Sequence, residues 1–242
     1  MIGDIRNVQG EKLDYTLHPG TGQTKHIVVI GHGVTGNKDR PFVVALADGL
    51  AHAGITALRF SFAGNGDSEG DFRECTVSKE VNDLGAVLDH LANFEVCYVG
   101  HSMGGAVGVL RASQDPRIRW LVSLAGMVHT KAFADREFGS VLPDSGFMWE
   151  DPACPLSGAY MNDMAVIGTV VDKAPSIRVP WLIVHGDEDD VVPVQDSLDI
   201  MQNAGENAVF REIKGANHVF SEVHTPIMVE TITAWVQEQF GV

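Results

Sequence analysis

The sequence predicts an α/β protein with a mostly parallel sheet, and two observations carry that prediction. Short apolar runs recur along the chain, each rich in β-branched or aromatic residues and ending near glycine: 26–32 (HIVVIGH), 55–62 (ITALRFSF), 95–101 (EVCYVGH), 119–126 (RWLVSLAG), 180–186 (PWLIVHG) and 208–215 (AVFREIKG). Runs without polar alternation suit strands buried on both faces. Between them lie helix-like segments at 41–54, 76–94, 102–114, 195–205 and 225–240, so strand and helix alternate. A chain of 242 residues fits a single domain over 1–242.

The elements follow in order. The first strand, 26–32, runs into the glycine-rich loop GHGVTGNKDRP, after which Pro41 suits the first turn of a helix. The second, 55–62, leads to the polar loop GNGDSEG, and the third, 95–101, turns abruptly into the small-residue helix of 102–114. After the fourth strand the alternation breaks. From 127 to about 178 the chain is too long for one crossover, and it holds Phe133, Phe138, Phe147, Met148, Trp149, Tyr160, Met161 and Met164. Segments of this length carry structure or function of their own, so an inserted, partly helical lid is expected there; an ordinary pair of packed helices is the alternative.

Composition narrows the function. With 17 basic and 32 acidic side chains the net charge is −15, which repels phosphate backbones and anionic membranes. Neither nucleic acid nor a membrane is an expected partner. Cys75, Cys97 and Cys154 are odd in number and widely spaced, as free thiols of a reducing compartment are. The start MIGDIRNVQGEKLDY lacks an apolar signal core, and no run approaches a membrane span. A cytoplasmic protein is expected.

The chemistry begins at Gly100-His101-Ser102-Met103-Gly104, a G-x-S-x-G between a predicted strand and a predicted helix. A nucleophile on so sharp a turn needs glycine two residues to either side, and the following helix aims its first amides at a developing oxyanion. A second G-x-S-x-G, Gly66-Asp67-Ser68-Glu69-Gly70, is followed by DFRECT rather than a helix, so Ser68 is read as a loop residue. Serine needs a base, and the base an orienting carboxylate, in the chain order serine, acid, histidine. Asp189, in the acidic turn after WLIVHG, is the candidate acid, with Asp187 and Asp190 as competitors; His218 in GANHVF is the candidate base, with His224 as the alternative. Val34 and Met103 are the expected oxyanion-hole amides, and His32 and His101 are expected to pack around them. Gly31-His32-Gly33-Val34-Thr35-Gly36 also spells the dinucleotide fingerprint, but NKDRP separates it from the helix and no acid closes the next strand.

Together GHGVTGNK, RFSFAGNGDSEG, GHSMGG, HGDEDDVVP and GANHVF, in that order, resemble the α/β-hydrolase superfamily over nearly the whole chain. Within it, the HG-x-TGNK loop, the compact length and the lid are most similar to the cinnamoyl and feruloyl esterases and related bacterial carboxylesterases. The resemblance implies a twisted, mostly parallel sheet flanked by helices, with Ser102, Asp189 and His218 as triad and Val34 and Met103 as oxyanion donors. It also implies Tyr160 of PLSGAY as a contact for the substrate's acid. The expected activity is hydrolysis of short-chain or aromatic-acid esters, with a small-molecule substrate and no metal or cofactor. A monoacylglycerol-type lipase, or an amidase or peptidase, would use the same triad. A slow-turnover small-ligand receptor would keep the fold without the activity. Homo-oligomer formation stays open.

Overall fold

The computed structural model describes residues 2–22 and 25–242. Three short N-terminal strands, β1 (Ile5–Arg6), β2 (Lys12–Leu13) and β3 (Tyr15–His18), precede β4 (His26–Gly31), helix α1 (Pro41–His52) and β5 (Ala57–Phe60). Then come α2 (Val77–His90), β6 (Glu95–His101), α3 (Met103–Ala112), β7 (Ile118–Leu124), α4 (Thr130–Phe138) and α5 (Gly158–Ile167). The chain closes with β8 (Trp181–Gly186), α6 (Val194–Asn203), β9 (Ala208–Ile213) and α7 (His224–Phe240). Seven of the described strands form one sheet in the order β3-β5-β4-β6-β7-β8-β9. Only β3 runs antiparallel to its neighbour; the other pairs are parallel.

Successive strand residues face opposite sides of a sheet, and here both sides are covered. Ile27, Val29, Leu58, Tyr98, Leu121 and Ile183 join one apolar cluster with α2 and α3. Val28, Ile30, Val99, Val122, Leu182 and Val184 join the other, with α1 and α7. Burial on both faces explains why β4 to β8 are largely apolar without regular polar alternation. β9 departs from that expectation: it lies at the sheet edge, and Arg211 and Glu212 are exposed. β1 to β3 lie before the first apolar run. They are short, and β3 is a half-buried antiparallel edge, so no such run marks them.

The segment 127–178 folds as α4 and α5 with 3-10 turns at Met148–Glu150 and Val171–Ser176. Its Phe133, Phe138, Met148, Tyr160 and Met164 are buried in one cluster with the sheet's own residues. The two ends of the segment are tied together where Val170 N–H donates to Val128 C=O at 2.9 Å.

Candidate active site

The connection from β6 to α3 compresses a reversal into one residue. Ser102 has φ 54° and ψ −120°, a conformation that side chains other than glycine seldom adopt. Neighbouring backbone enforces it: Ser102 N–H donates to Leu124 C=O at 3.0 Å, and its own carbonyl accepts from Gly105 N–H at 2.8 Å and Met127 N–H at 3.0 Å. A Cβ on Gly100 would lie 2.1 Å from the Gly104 carbonyl oxygen, and one on Gly104 would lie 2.5 Å from the His32 carbonyl oxygen. Only glycine fits at both. Serine commonly caps the helix it precedes, yet the Ser102 hydroxyl makes no capping bond to α3 and stays available.

Beyond β8, the buried Asp189 is fixed at both oxygens. Oδ1 accepts from Val191 N–H at 2.9 Å and Val192 N–H at 2.8 Å, and Oδ2 accepts from His218 Nδ1–H at 2.8 Å. A further partner had no signature in the sequence. Nε2–H of the fully buried His185 reaches the same Oδ2 at 3.1 Å and the Val192 carbonyl at 2.9 Å, while Nδ1 accepts from the Ser197 hydroxyl at 2.7 Å. Burial alone would raise the Asp189 carboxyl, but the hydrogen bonds from His185 and His218 outweigh it and hold the group below the usual carboxylate range. The competitors lie elsewhere: Asp187 is exposed and accepts from Gly215 N–H, Asp190 is exposed, and His224 opens α7.

His218 and Ser102 line one cavity of about 370 Å³. Bonding through Nδ1 leaves His218 Nε2 as the unsatisfied nitrogen. Among the described residues no hydrogen bond joins it to the Ser102 hydroxyl. The loop after β4 comes close to Ser102, since a Cβ on Gly33 would lie 2.6 Å from Ser102 Cβ and 3.2 Å from its Oγ. Val34, the next residue, lines the cavity, and its amide has no acceptor among the described residues. Met103 is the first residue of α3, where an amide has no intrahelical acceptor.

His32 and His101 hold this arrangement. His32 Nε2 accepts from Phe62 N–H at 3.1 Å, so its proton sits on Nδ1 and is given to the Gly33 carbonyl at 2.8 Å. Burial lowers its pKa to about 4, which keeps the ring neutral. His101 Nε2–H donates to the His218 carbonyl at 2.9 Å, and the two rings lie 4.6 Å apart; burial, then His218, hold His101 well below the ordinary imidazole range.

Phe42, Val191 and Val219 give the cavity apolar walls, and Trp149 closes it from segment 127–178. Trp149 has a left-handed backbone (φ 46°), rests on Phe138 with ring centroids 4.9 Å apart, and donates Nε1–H to Glu137 at 3.1 Å. Tyr160, expected at the substrate, is 1% exposed, packs near Phe138 and is not part of the cavity wall. Ser68 is tied into the loop it was assigned to: its hydroxyl donates to Ser61 C=O and accepts from Asp14 N–H, both at 2.8 Å. Among the described residues no group of three His, Cys, Asp or Glu side chains could hold a metal, and no helix is long and apolar enough to cross a membrane.

Residues 26–153 match the family model described as alpha/beta hydrolase fold. The chain belongs to that family. The matched span includes Ser102 and the Gly33-Val34 loop and ends before Asp189 and His218. Over 99% of both chains, with a TM-score of 0.83 and 26% identity, the structure is similar to that of Est1E from Butyrivibrio proteoclasticus with ferulic acid bound. The sequence is 26% identical over 192 residues to the mitochondrial palmitoyl-protein thioesterase ABHD10 of Bos taurus; the match takes in 74% of this chain and spans about 61% of that relative's length. It is also 24% identical to a monoacylglycerol lipase of Mycolicibacterium smegmatis, over 95% of this chain and 94% of the lipase. The hydrolase relatives of this chain thus cleave thioesters and esters.

Proposed function

We propose that this alpha/beta hydrolase is a serine carboxylic-ester hydrolase working through an acyl-enzyme. One observation carries the proposal: His218, hydrogen-bonded to Asp189, lines the same cavity as a strained, uncapped serine. His218 Nε2 takes the Ser102 proton as Oγ attacks the ester carbonyl. Asp189 fixes the imidazole tautomer and stabilises the imidazolium. The Val34 and Met103 amides hold the oxyanion, each worth about 3 to 4 kcal/mol in comparable sites. The proton then passes to the leaving alkoxide, and water cleaves the acyl-enzyme by the same route.

A cavity of about 370 Å³ lies near the small end of the range for ligand pockets, which favours a short acyl chain or a single aromatic acid over a long chain. The ferulic acid in the Est1E structure agrees with that preference. In this proposal the chain is one domain, segment 127–178 serves as its lid, and three buried, unpaired cysteines suit a reducing cytoplasm. The test is hydrolysis of 4-nitrophenyl acetate and butyrate with fluorophosphonate labelling. Ser102→Ala is expected to lose turnover and labelling, whereas Ser68→Ala is expected to keep both and lose about 1 kcal/mol of stability. Full activity in Ser102→Ala refutes the proposal. A preference for long over short acyl chains would favour the lipase instead.

A further inference from the structure

Among the described residues that line the candidate cavity, Arg40 is the one Asp, Glu, Lys or Arg side chain. That lining thus has no carboxylate, and burial keeps His32 and His101 neutral. On this chain of net charge −15, six of the ten arginines form an ion pair with a carboxylate among the described residues. Arg40 has none among the described residues. The adjacent Asp39 is engaged instead by Lys38 and Arg59. One Nη of Arg40 donates to the Thr35 carbonyl at 2.9 Å, leaving the remaining N–H donors of the fork uncommitted at the exposed cavity mouth.

Position gives the free cation a meaning. Thr35 directly follows Val34, the proposed oxyanion donor, so the guanidinium lies within roughly 10 Å of that amide, two residue steps plus one hydrogen bond. An ester carbonyl held there, with one aromatic ring or a few methylenes between, would bring a substituent to Arg40. An arginine fork matches the planar oxygens of carboxylate and phosphate. An anionic substrate approaching this acidic protein is repelled over most of the surface, and Arg40 provides local attraction where it must dock.

Resting on the serine-hydrolase reading, we propose that Arg40 selects ester substrates that carry an anionic group, a carboxylate or a phosphate, on the far side from the scissile bond. A bracing role alone, through Thr35, would affect neutral and anionic substrates alike. The proposal requires that they differ.

The experiment compares kcat/KM for 4-acetoxybenzoate, 4-acetoxyphenyl phosphate and the neutral methyl 4-acetoxybenzoate in wild type, Arg40→Met and Arg40→Lys. The expected result is a fall of about tenfold in the anionic-to-neutral ratio in Arg40→Met, with Arg40→Lys between. The anion whose ratio falls further identifies the preferred group. Using a ratio removes any effect of the substitution common to all three esters. Equal ratios in the three proteins overturn the proposal. A second measurement does not need turnover: 4-acetoxybenzoate should raise the Tm of Ser102→Ala, and adding Arg40→Met should abolish that rise. A rise independent of Arg40 again overturns the proposal. An Arg40-dependent rise without fluorophosphonate labelling of Ser102 in wild type would refute the hydrolase reading and retain Arg40 as an anion contact.

Discussion

Replacing Gly33 with alanine tests the site through one methyl group. The added Cβ would lie 2.6 Å from Ser102 Cβ, where carbon atoms prefer about 3.5 to 4.0 Å, so the Gly33 loop or the serine must yield by about 1 Å. The serine is held by three backbone hydrogen bonds, and the loop by His32 and by the Gly36 N–H bond to Gly33 C=O. The loop is the softer partner, and it carries the Val34 amide. Moving that amide by about 1 Å takes it outside the 2.7 to 3.1 Å window in which it can hold an oxyanion, a loss of about 3 to 4 kcal/mol or 10²- to 10³-fold in kcat. Overpacking costs a further 1 to 3 kcal/mol of stability, roughly 2 to 12 °C in Tm for a chain of this size. The assay is kcat and kcat/KM on 4-nitrophenyl acetate beside a melting curve. A folded Gly33→Ala protein within threefold of wild-type kcat would refute the placement of Val34 as an oxyanion donor.

Two further predictions concern pH. His32 is held neutral with its pKa lowered to about 4 against an ordinary 6.5, so between those values the unfolded chain binds the proton that the folded one refuses. Its stabilising contribution is complete above 6.5 and lost as pH falls, by about 2.5 kcal/mol at about pH 4.5. Urea titrations of His32→Gln should therefore show a shallower acid loss than wild type, and parallel curves would sink the assignment. Glu80 behaves oppositely: it is buried, both carboxyl oxygens lack partners among the described residues, and burial, then Asp83 and Asp163, raise its pKa well above the usual range. Its folded form is favoured below the ordinary carboxylate pKa and loses that advantage as pH rises through the raised value. Glu80→Gln should gain more Tm, relative to wild type, at about pH 8 than at about pH 5; an equal change at both would show that Glu80 does not titrate with folding.

Much of the fold was legible because burial on both faces leaves a local mark: β4 to β8 each read as an apolar run. β9 was read from its short run ending at Gly215 although its edge position leaves it half exposed, and β1 to β3 had no such run to reveal them. The corner at Ser102 was legible because its tight turn requires glycine two residues to either side, whichever segment each then meets. Contacts between distant segments were not. His185 is the penultimate residue of an apolar strand, and nothing nearby shows that it reaches Asp189 and Ser197. Arg40 looks like any charged residue before a helix until the cavity around it is seen without a carboxylate. Tyr160 differs in the opposite sense: the resemblance implies it as a substrate contact, while α5 buries it near Phe138 and outside the lining of the cavity.

The four histidines of the candidate site divide into one proposed base and three supports, and hydrogen bonding and burial account for the division. A base needs a ring nitrogen that is not already committed. His32 and His185 have both nitrogens engaged, and His101 spends Nε2 on a carbonyl in a buried setting that keeps it neutral. Each support holds a different part of the proposed machinery. His32 grips the carbonyl of Gly33 beside the Val34 amide, His101 the backbone of His218, and His185 the carboxylate of Asp189. A neutral imidazole suits such a task because one rigid ring donates on one side and accepts on the other without adding charge to a buried site. Only His218, anchored through Nδ1, keeps Nε2 without a partner among the described residues while facing the cavity that Ser102 enters. The same chemistry that makes histidine a proton carrier thus makes it a neutral brace: both ring nitrogens are engaged in His32 and His185, while burial holds His101 neutral although its Nδ1 has no partner among the described residues.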